Sequence, residues 1–149
     1  LSELTGTKAK VKWPNDVHIE GKKVCGVLSE LTAQGVIAGI GINVQSQSGA
    51  PDTACSISDY VSASFDEVLA PVLAELRGGW SAWLAKGNPY ALDFIRSESL
   101  TVGEQVRAIM PSGEEVIGAA VSIEPDGRLR IEGSEIVLVS AADVWHLRN

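Results

Sequence analysis

The stretch KWPNDVHIEGKKVCGVLSE, residues 12–30, decides how the first part of the chain is expected to fold. Residues 8–13 alternate polar and apolar side chains, which is the period-2 pattern of a β-strand. The Pro-Asn-Asp of residues 14–16 ends this pattern, because proline lacks a backbone donor and Asn and Asp favour turns. Residues 17–20 and 24–31 predict two further strands around a hairpin turn. A hairpin does not need so many charged and rigid residues, so their concentration indicates a second role.

One more strand and a helical region are predicted downstream. Residues 36–44 are an apolar run suited to a buried strand, and residues 45–52, QSQSGAPD, are a polar loop. Ser64 and Glu67 have the spacing of a helix capping box. The apolar residues that recur at helical spacing behind it, and that are expected on one helix face, are Phe65, Val68, Leu69, Val72, Leu73, Leu76, Trp80, Trp83 and Leu84.

Irregularities are expected within the helical region. Pro71 and the Gly78-Gly79 pair are expected to kink or soften the first helix, because proline removes a donor and glycine is a weak helix former. Asn88 and Pro89 are expected to open a second helix as its N-cap and first residue, and this helix should end near Arg96. The middle of the chain is thus predicted to be two helices in series.

The end of the chain predicts a small all-β module. Its turns contain proline, glycine or aspartate, and its short strand patterns lie at residues 102–110, 115–123, 128–132, 135–139 and 144–147. So many short strands in so short a segment favour a closed barrel. The predicted fold class is therefore α+β, with one domain at residues 1–98 and a second at residues 99–149.

Composition narrows the class of protein. The 149 residues carry a formal net charge of −7, which argues against a general nucleic-acid binder because such a protein needs a basic face. The longest apolar run is interrupted by glycines and is too short to cross a membrane. Cys25 and Cys55 lack the spacing of a zinc site and fit a reducing compartment. We therefore expect no metal site, no membrane partner and a cytoplasmic location.

Two groups of residues are candidates for ligand binding, and each also has a plainer interpretation. Gly39, Gly41 and Asn43 lack the third glycine and the following helix of a dinucleotide fingerprint. The glycines either let the strand pack close to a neighbour or admit a ligand to its backbone, with Asn43 as donor and acceptor. Lys23 is either an exposed hairpin lysine or a point charge for a carboxylate or phosphate. Lys12 lies on a lysine-bearing strand face of a kind that is usually solvated.

Three motifs in order change this balance. Lys-Trp-Pro-Asn-Asp at residues 12–16, Lys-x-x-Gly-x-Leu-x-Glu at residues 23–30 and Gly-x-Gly-Ile-Asn at residues 39–43 resemble the biotin protein ligases. The helices and terminal barrel are similar to the C-terminal part of that family's catalytic domain followed by its SH3-like domain. The resemblance covers nearly the whole chain. It implies part of the mixed sheet of the biotin and lipoate ligases, which is like that of class II aminoacyl-tRNA synthetases.

The resemblance also implies a two-step ligase reaction. Biotin and ATP, with Mg²⁺, form biotinyl-5′-adenylate, and the acyl group then passes to one lysine of the biotin carboxyl carrier domain of a carboxylase. Lys23 resembles the family's essential lysine, which contacts the biotin carboxylate and the α-phosphate, and Asp16 is a candidate contributor to acyl transfer. The residues that the resemblance assigns to biotin or adenylate binding are Lys12, Asn15, Lys23, Gly26, Leu28, Gly39, Gly41 and Asn43.

The sequence also departs from the family pattern. The family's Gly-Arg-Gly-Arg-x-Gly loop, which closes over the adenylate, is expected upstream of Lys12 and is not in this sequence. Cys25 stands where a small residue is expected. The chain is therefore expected to be a fragment that does not make adenylate by itself. The alternative is a non-catalytic binding or interaction module derived from the ligase fold, and a weaker one is a lipoate-ligase-like acyl transferase.

Overall fold

The computed structural model describes residues 1–147, and it has the α+β fold predicted from the sequence. Residues 148 and 149, the end of the predicted barrel domain, lie outside the described residues. Within the described residues, no helix is both long and apolar enough to cross a membrane. The elements are α1 (Ser2–Thr5), β1 (Ala9–Lys12), β2 (Asp16–Ile19), β3 (Lys22–Thr32), β4 (Gly35–Ile42), a 3₁₀ turn (Ile57–Asp59), α2 (Phe65–Lys86), α3 (Asn88–Ser97), β5 (Gln105–Ile109), β6 (Glu115–Ile123), β7 (Leu129–Glu132), β8 (Ile136–Val139) and β9 (Asp143–His146).

The chain divides into two compact units. The first comprises Leu1–Lys10 and Asn15–Ser81, and the second comprises Val11–Pro14 and the chain from Ala82 onward. By compactness, α3 therefore groups with the second sheet. The domain boundary after residue 98 stays a prediction.

The first sheet is the meander that the sequence predicts, with strand order β1-β2-β3-β4. β3 and β4 form a long antiparallel hairpin, in which the pairing runs from Cys25 opposite Ile42 to Thr32 opposite Gly35. The core of this unit lies against the start of the hairpin rather than its tip. The buried side chains that form it are Ile19, Val24, Cys25, Cys55, Ile57, Ala63 and Val68.

Beyond that core, large apolar side chains of the hairpin and of α2 are exposed. Leu31 near the hairpin tip is 82% exposed, and Trp80 on α2 is 59% exposed. Val68 is the buried residue of α2, so most of the helix face predicted from the sequence is left uncovered by residues 1–147. The other exposed members of this surface are Leu28, Val36, Ile37 and Ile40 on the hairpin and Phe65, Leu69, Leu73, Leu76 and Leu84 on α2.

The predicted start of the first helix is confirmed and that of the second is corrected. The Glu67 carboxylate accepts hydrogen bonds from the Ser64 backbone N–H at 2.8 Å and from its hydroxyl at 2.7 Å, and α2 then runs unbroken through Pro71. The N-cap of α3 is Gly87, with φ 76°, and not Asn88. Asn88 is the first residue of α3, and its Oδ1 accepts a hydrogen bond from the Trp83 indole N–H at 3.0 Å.

The second unit contains a five-stranded antiparallel sheet of order β8-β7-β6-β5-β9. The predicted strands are present, although the first begins at Gln105 because Gly103 occupies a turn with φ 95°. Its closure into a barrel stays a prediction. The buried core residues are Trp13, Val106, Ala108, Ala120, Ile123, Leu129, Ile131, Val139 and Val144.

Gly118 and Gly133 mark a close approach of two backbones in this sheet. A Cβ atom added at Gly118 would lie 2.5 Å from the carbonyl oxygen of Glu132, and one added at Gly133 would collide with the carbonyl oxygen of Ile117. These neighbours are backbone atoms, which cannot turn aside as a side chain can. The two glycines are therefore required by packing.

We predict that Gly118→Ala lowers the free energy of unfolding by roughly 1–3 kcal/mol, the usual cost of overpacking. The matched control is Gly78→Ala in α2, where an added Cβ meets nothing within 4 Å. Because alanine is the better helix former, this control should raise stability by roughly 0.5–1 kcal/mol. Urea denaturation followed by circular dichroism measures both, and equal effects of the two substitutions would contradict the assignment.

Candidate functional site

The first unit contains a cleft of about 450 Å³. It brings together most of the residues that the sequence marks as candidate ligand contacts, although these are up to 26 positions apart in the chain, from 15 to 41. The cleft therefore forms where the turn after β1 meets the paired strands β3 and β4. The residues that line it are Asn15, Asp16, Lys23, Gly26, Val27, Leu28, Gly39, Ile40 and Gly41.

An ion pair between Lys23 and Asp16 lies in this cleft, with Nζ 2.7 Å from Oδ1. The backbone of Lys23 is held by a neighbouring segment: its N–H donates to the carbonyl of Thr53 at 2.8 Å, and its carbonyl accepts from the N–H of Cys55 at 2.9 Å. The Lys23 side chain is 47% exposed, and pairs this open contribute only about 0.2–1 kcal/mol to stability. An ammonium has three donors, so a cation paired with one carboxylate still has donors for an anionic ligand.

Gly26 gives the Lys23 side chain the space that it occupies. A Cβ atom at position 26 would lie 3.3 Å from Asp16 Oδ1 and 3.3 Å from both Cε and Nζ of Lys23. Asp16 is also the partner of Gly26 in the β2–β3 register, so the ion pair lies directly across this position. The glycine of the Lys-x-x-Gly motif is therefore explained by the location of the charge pair.

Asn15 fastens the turn to β3. Its side-chain Nδ2 donates to the carbonyl of Val27 at 2.7 Å, and its own carbonyl accepts from the Val27 N–H at 2.9 Å. Two hydrogen bonds to one residue fix both the backbone and the side chain of Asn15. The adjacent Asp16 thereby starts β2 at a defined place beside Lys23.

The two glycines of β4 leave a bare stretch of strand in the cleft. Gly39 lies opposite Leu28 and Gly41 opposite Gly26 in the hairpin register. The nearest atom to an added Cβ is a carbonyl oxygen of the paired strand, at 3.7 Å for Gly39 and 3.9 Å for Gly41. Packing among the described residues therefore does not require glycine at either position. Close approach of a ligand to the backbone is the interpretation that this geometry favours.

Two predicted contacts, Asn43 and Lys12, have other surroundings. Asn43 Nδ2 donates to the carbonyl of Cys55 at 3.0 Å, and its backbone carbonyl accepts from the N–H of Ile57 at 2.8 Å. Its amide thus holds the segment that binds the backbone of Lys23, and Asn43 is not among the residues that line the cleft. Lys12 is in the part of β1 that belongs to the second unit.

A hydroxyl cluster that the sequence analysis did not single out fixes the same segment. The Ser46 hydroxyl lies 2.8 Å from the Ser56 hydroxyl and 3.0 Å from the Ser58 hydroxyl, and it donates to Asp59. The hydrogen bond from Ser46, with a second from the Ser56 backbone, lowers the pKa of the Asp59 carboxyl. The Ser-x-x-Asp spacing of residues 56–59, a capping box, was the sequence signal for it.

The pKa of the Cys25 thiol responds to both charges of the Lys23–Asp16 pair. Burial raises the pKa of this thiol, the Asp16 carboxylate raises it further, and the Lys23 ammonium lowers it. Cys25 and Cys55 are both free and buried. Within residues 1–147, no group of three or more histidine, cysteine, aspartate or glutamate side chains is placed to hold a metal ion.

Two family models match the chain. Residues 1–46 match the model of the biotin/lipoate A/B protein ligase family, and residues 101–147 match that of the biotin protein ligase C terminal domain. The first match includes the turn and the three cleft-lining strands, and the second includes the five-stranded sheet. The two matches occur in the same order along the chain as the two domains predicted from the sequence.

Proteins that are similar in sequence to this chain carry the names of ligases. A biotin–[acetyl-CoA-carboxylase] ligase of Mycobacterium tuberculosis is 38% identical over 142 residues, which cover 93% of this chain and 53% of that protein. The bifunctional ligase/repressor BirA of Bacillus subtilis is 31% identical, over 97% of this chain and 48% of that protein. The chain thus spans about half the length of the curated relatives that it matches.

Solved structures agree with the sequence comparisons. The biotin protein ligase of Aquifex aeolicus in its apo form superposes with a TM-score of 0.85 at 28% identity, covering 98% of this chain and 69% of that one. The same protein in complex with biotin and ATP gives a TM-score of 0.83 at 28% identity, over 98% and 66% of the two chains. The fold of both units therefore has a counterpart in one ligase chain.

We predict that Gly26→Ala displaces the Lys23 ammonium, because the new methyl group would lie 3.3 Å from it. The Nζ to Oδ1 distance should lengthen from 2.7 Å in a crystal structure of the variant. Gly41→Ala is the matched control, since its nearest neighbour would be 3.9 Å away and the ion pair should persist. An unchanged ion pair in Gly26→Ala would contradict the spatial role given to this glycine.

The pKa of Cys25 should respond in opposite directions to removal of its two charged neighbours. Asp16→Asn removes an anion and lowers the pKa, whereas Lys23→Met removes a cation and raises it. A ¹³C NMR titration of the Cys25 Cβ resonance measures both shifts. Lys22→Met, at the adjacent exposed lysine, should leave the pKa unchanged; shifts of the same sign in the first two variants would show that the charge pair is placed incorrectly.

Proposed function

Since the chain belongs to the biotin protein ligase family, we propose that it is the C-terminal part of an ATP-dependent biotin–protein ligase. The proposed reaction joins biotin and ATP into biotinyl-5′-adenylate and then transfers the biotinyl group to a lysine of the biotin carboxyl carrier domain of a carboxylase. The observation that carries the proposal is the Lys23–Asp16 pair beside a bare glycine strand in one cleft. The ligand content of the similar Aquifex aeolicus complex, biotin and ATP, supports the choice of substrates.

Lys23 is proposed to supply the positive charge that the formation of biotinyl-5′-adenylate requires. A carboxylate oxygen of biotin attacks the α-phosphorus of ATP and pyrophosphate leaves, so two anions must approach and further charge develops at phosphorus. A fixed ammonium offsets this repulsion and stabilises the developing charge. The Lys23 backbone is tied to residues 53–55 and its ammonium is paired with Asp16, so the charge already lies in the cleft before substrates bind.

Asp16 is proposed to act in the second step. The carrier lysine attacks the acyl carbon as a neutral amine, and AMP leaves as the amide forms. A carboxylate near the acyl group can accept the proton that the amine loses. Asp16 is the acidic residue among those that line the cleft, which supports this role.

Gly39 and Gly41 are proposed to form the wall along which biotin and the adenylate lie. Their backbone is exposed in the cleft without side chains over it, and Leu28 adds an apolar contact from the paired strand. Mg²⁺ would enter bound to ATP as part of the substrate. The cleft offers one carboxylate, that of Asp16, and it is already paired with Lys23, so these residues do not fit a resident metal ion.

The remaining part of the ligase is proposed to cover the exposed apolar surface of the first unit. The relatives are about twice as long as the matched region, and β4 has an open edge in a sheet of order β1-β2-β3-β4. An open edge flanked by exposed Val36 and Ile37 offers unpaired backbone groups to which a further strand can pair. The arginine-rich adenylate loop would belong to this remaining part, so the present chain alone should not make adenylate.

Domain limits and compartment follow the same proposal. We place the boundary between the catalytic part and the C-terminal domain at residues 98/99, supported by family-model matches that end at residue 46 and begin again at residue 101. We propose the cytoplasm as the compartment. The two free thiols support this choice, because a reducing compartment maintains them.

The second candidate is a non-catalytic binding module with the ligase fold. It is favoured by one observation, that the chain matches only 53% of its M. tuberculosis relative and 48% of the B. subtilis one. The lengths alone do not separate a fragment from a shortened relative. The Lys23 ammonium beside the glycine strand supports the ligase, because the first step of that reaction brings two anions together.

We predict that Lys23→Met in the ligase that contains this chain lowers biotin-dependent ATP–pyrophosphate exchange by roughly 10²–10³-fold, the usual effect of removing one electrostatic stabiliser. Lys22→Met is the matched control, because it removes the same charge one residue away, outside the cleft lining. The control should keep the wild-type rate. Exchange at the wild-type rate in Lys23→Met would contradict the proposal.

Calorimetric titration of the 149-residue chain separates the two candidates. A non-hydrolysable biotinyl-adenylate analogue should bind, and Lys23→Met should abolish binding, if this chain provides one wall of a ligase site. Absence of binding together with an inactive longer protein would favour the non-catalytic module.

A further inference from the structure

The spacing of the Lys-x-x-Gly motif does not by itself place its lysine and its glycine on the same face of the sheet. Successive side chains of a β-strand point to opposite faces, so Lys23 and Gly26, three positions apart, should lie on opposite faces. In a regular strand the lysine on the face of Gly26 would be Lys22, four positions away. The structure instead brings Lys23 to Gly26, because its Nζ would lie 3.3 Å from a Cβ atom added there.

A β-bulge in β3 accounts for this arrangement. β2 advances by one residue, from Val17 to His18, while its partners in β3 advance by two. The residue that the register passes over is Val24. One extra residue in one strand of a pair constitutes a bulge, and it shifts the alternation of side chains beyond it by one position. Lys23 therefore points to the face of Gly26.

The core of the first unit holds the bulge in place. Val24 and the next residue, Cys25, are both buried in the same cluster of side chains. A regular strand sends consecutive side chains to opposite faces, whereas the two residues of a bulge oppose one residue of the neighbouring strand. The carbonyl of Val24 also accepts a hydrogen bond from the backbone N–H of Asn43 at 2.9 Å. Both the side chain and the backbone of Val24 are thus fixed, directly beside Lys23.

We propose that Val24 is a positioning residue. By occupying the core at the bulge, it determines that Lys23 rather than Lys22 presents its ammonium to the cleft. Bulges are over-represented next to active sites, where they re-aim a side chain. The contacts that carry this proposal all lie within the first unit. The effect of Val24 on catalysis rests on the proposed function, whereas its effect on the Lys23–Asp16 pair does not.

The placement of the ammonium can be measured in the 149-residue chain by acetylation with acetic anhydride. Digestion after glutamate releases residues 21–30, GKKVCGVLSE, so that Lys22 and Lys23 are quantified on one peptide by tandem mass spectrometry. Lys22 serves as the internal reference. Because Lys23 is paired with Asp16, it should react more slowly, and Asp16→Asn gives the Lys23/Lys22 ratio for the unpaired lysine.

Two substitutions should loosen the bulge to different degrees. Val24→Ala removes part of the buried side chain, and Val24→Ser, of similar size, also places a hydroxyl in the core and so favours leaving it. Both should raise the Lys23/Lys22 ratio towards that of Asp16→Asn, serine more than alanine. The rise should be at most about fivefold, because a pair this exposed is weak. Val24→Ile, which stays apolar and branched, should keep the wild-type ratio.

The matched controls are Val68→Ala and Val68→Ser, since Val68 is buried in the same core but belongs to α2. They should lower the melting temperature and leave the ratio unchanged. Lowered melting temperatures with an unchanged ratio in the Val24 variants would show that Val24 is a core residue only. If the serine variants do not fold, the comparison of Val24→Ala with Val68→Ala decides alone.

A double-mutant cycle links the bulge to the reaction. In the ligase that contains this chain, Val24→Ala should lower kcat for pyrophosphate exchange by up to about 10²-fold, the cost of a misplacement of about 1 Å. It should have no further effect when Lys23→Met is already present, because a residue that acts through Lys23 then has nothing to position. Equal effects of Val24→Ala with and without Lys23 would overturn the positioning role. If the wild-type ligase itself is inactive, the proposed function fails while the acetylation ratios still decide the role of Val24.

Discussion

The interaction on which the site depends is the ion pair between Lys23 and Asp16. Its Nζ to Oδ1 distance is 2.7 Å, yet its exposure means that it contributes little to stability. The surrounding structure nevertheless fixes it from three directions: residues 53–55 hold the Lys23 backbone, Asn15 holds the turn that carries Asp16, and Gly26 leaves room for both side chains. This much support for a weak pair indicates that the location of the charge matters more than its energy.

The same arrangement explains the crowding of the opening stretch of sequence. Trp13 belongs to the core of the second unit, whereas Asn15 and Asp16 line the cleft of the first. Lys23 and Gly26 follow on the next strand, so the hairpin supplies both charges and the space between them. The rigid and charged residues of this segment thus have separate tasks that an ordinary turn would not require.

The sequence predicted the strands well because their signals are local. Alternation in β1 and the glycine-containing turns specify the meander, and the three motifs indicated which of its residues share a cleft. The surroundings of Asn43 were not predictable, because its amide bonds the carbonyl of Cys55, a contact set by tertiary structure. The N-cap at Gly87 was not predicted, and Asn88, the first residue of α3, is engaged by Trp83. The apolar period of α2 predicted a helix with one apolar face, but such a period is the same whether or not another segment covers that face.

We propose that the Lys23 ammonium belongs to the site where biotin and ATP react. The most direct test is a crystal structure of the ligase that contains this chain, with a non-hydrolysable biotinyl-adenylate bound. Lys23 Nζ should lie within hydrogen-bonding distance of both the acyl and the phosphate oxygens, with the ligand along Gly39 and Gly41. An adenylate bound elsewhere, with Lys23 still paired only with Asp16, would contradict it.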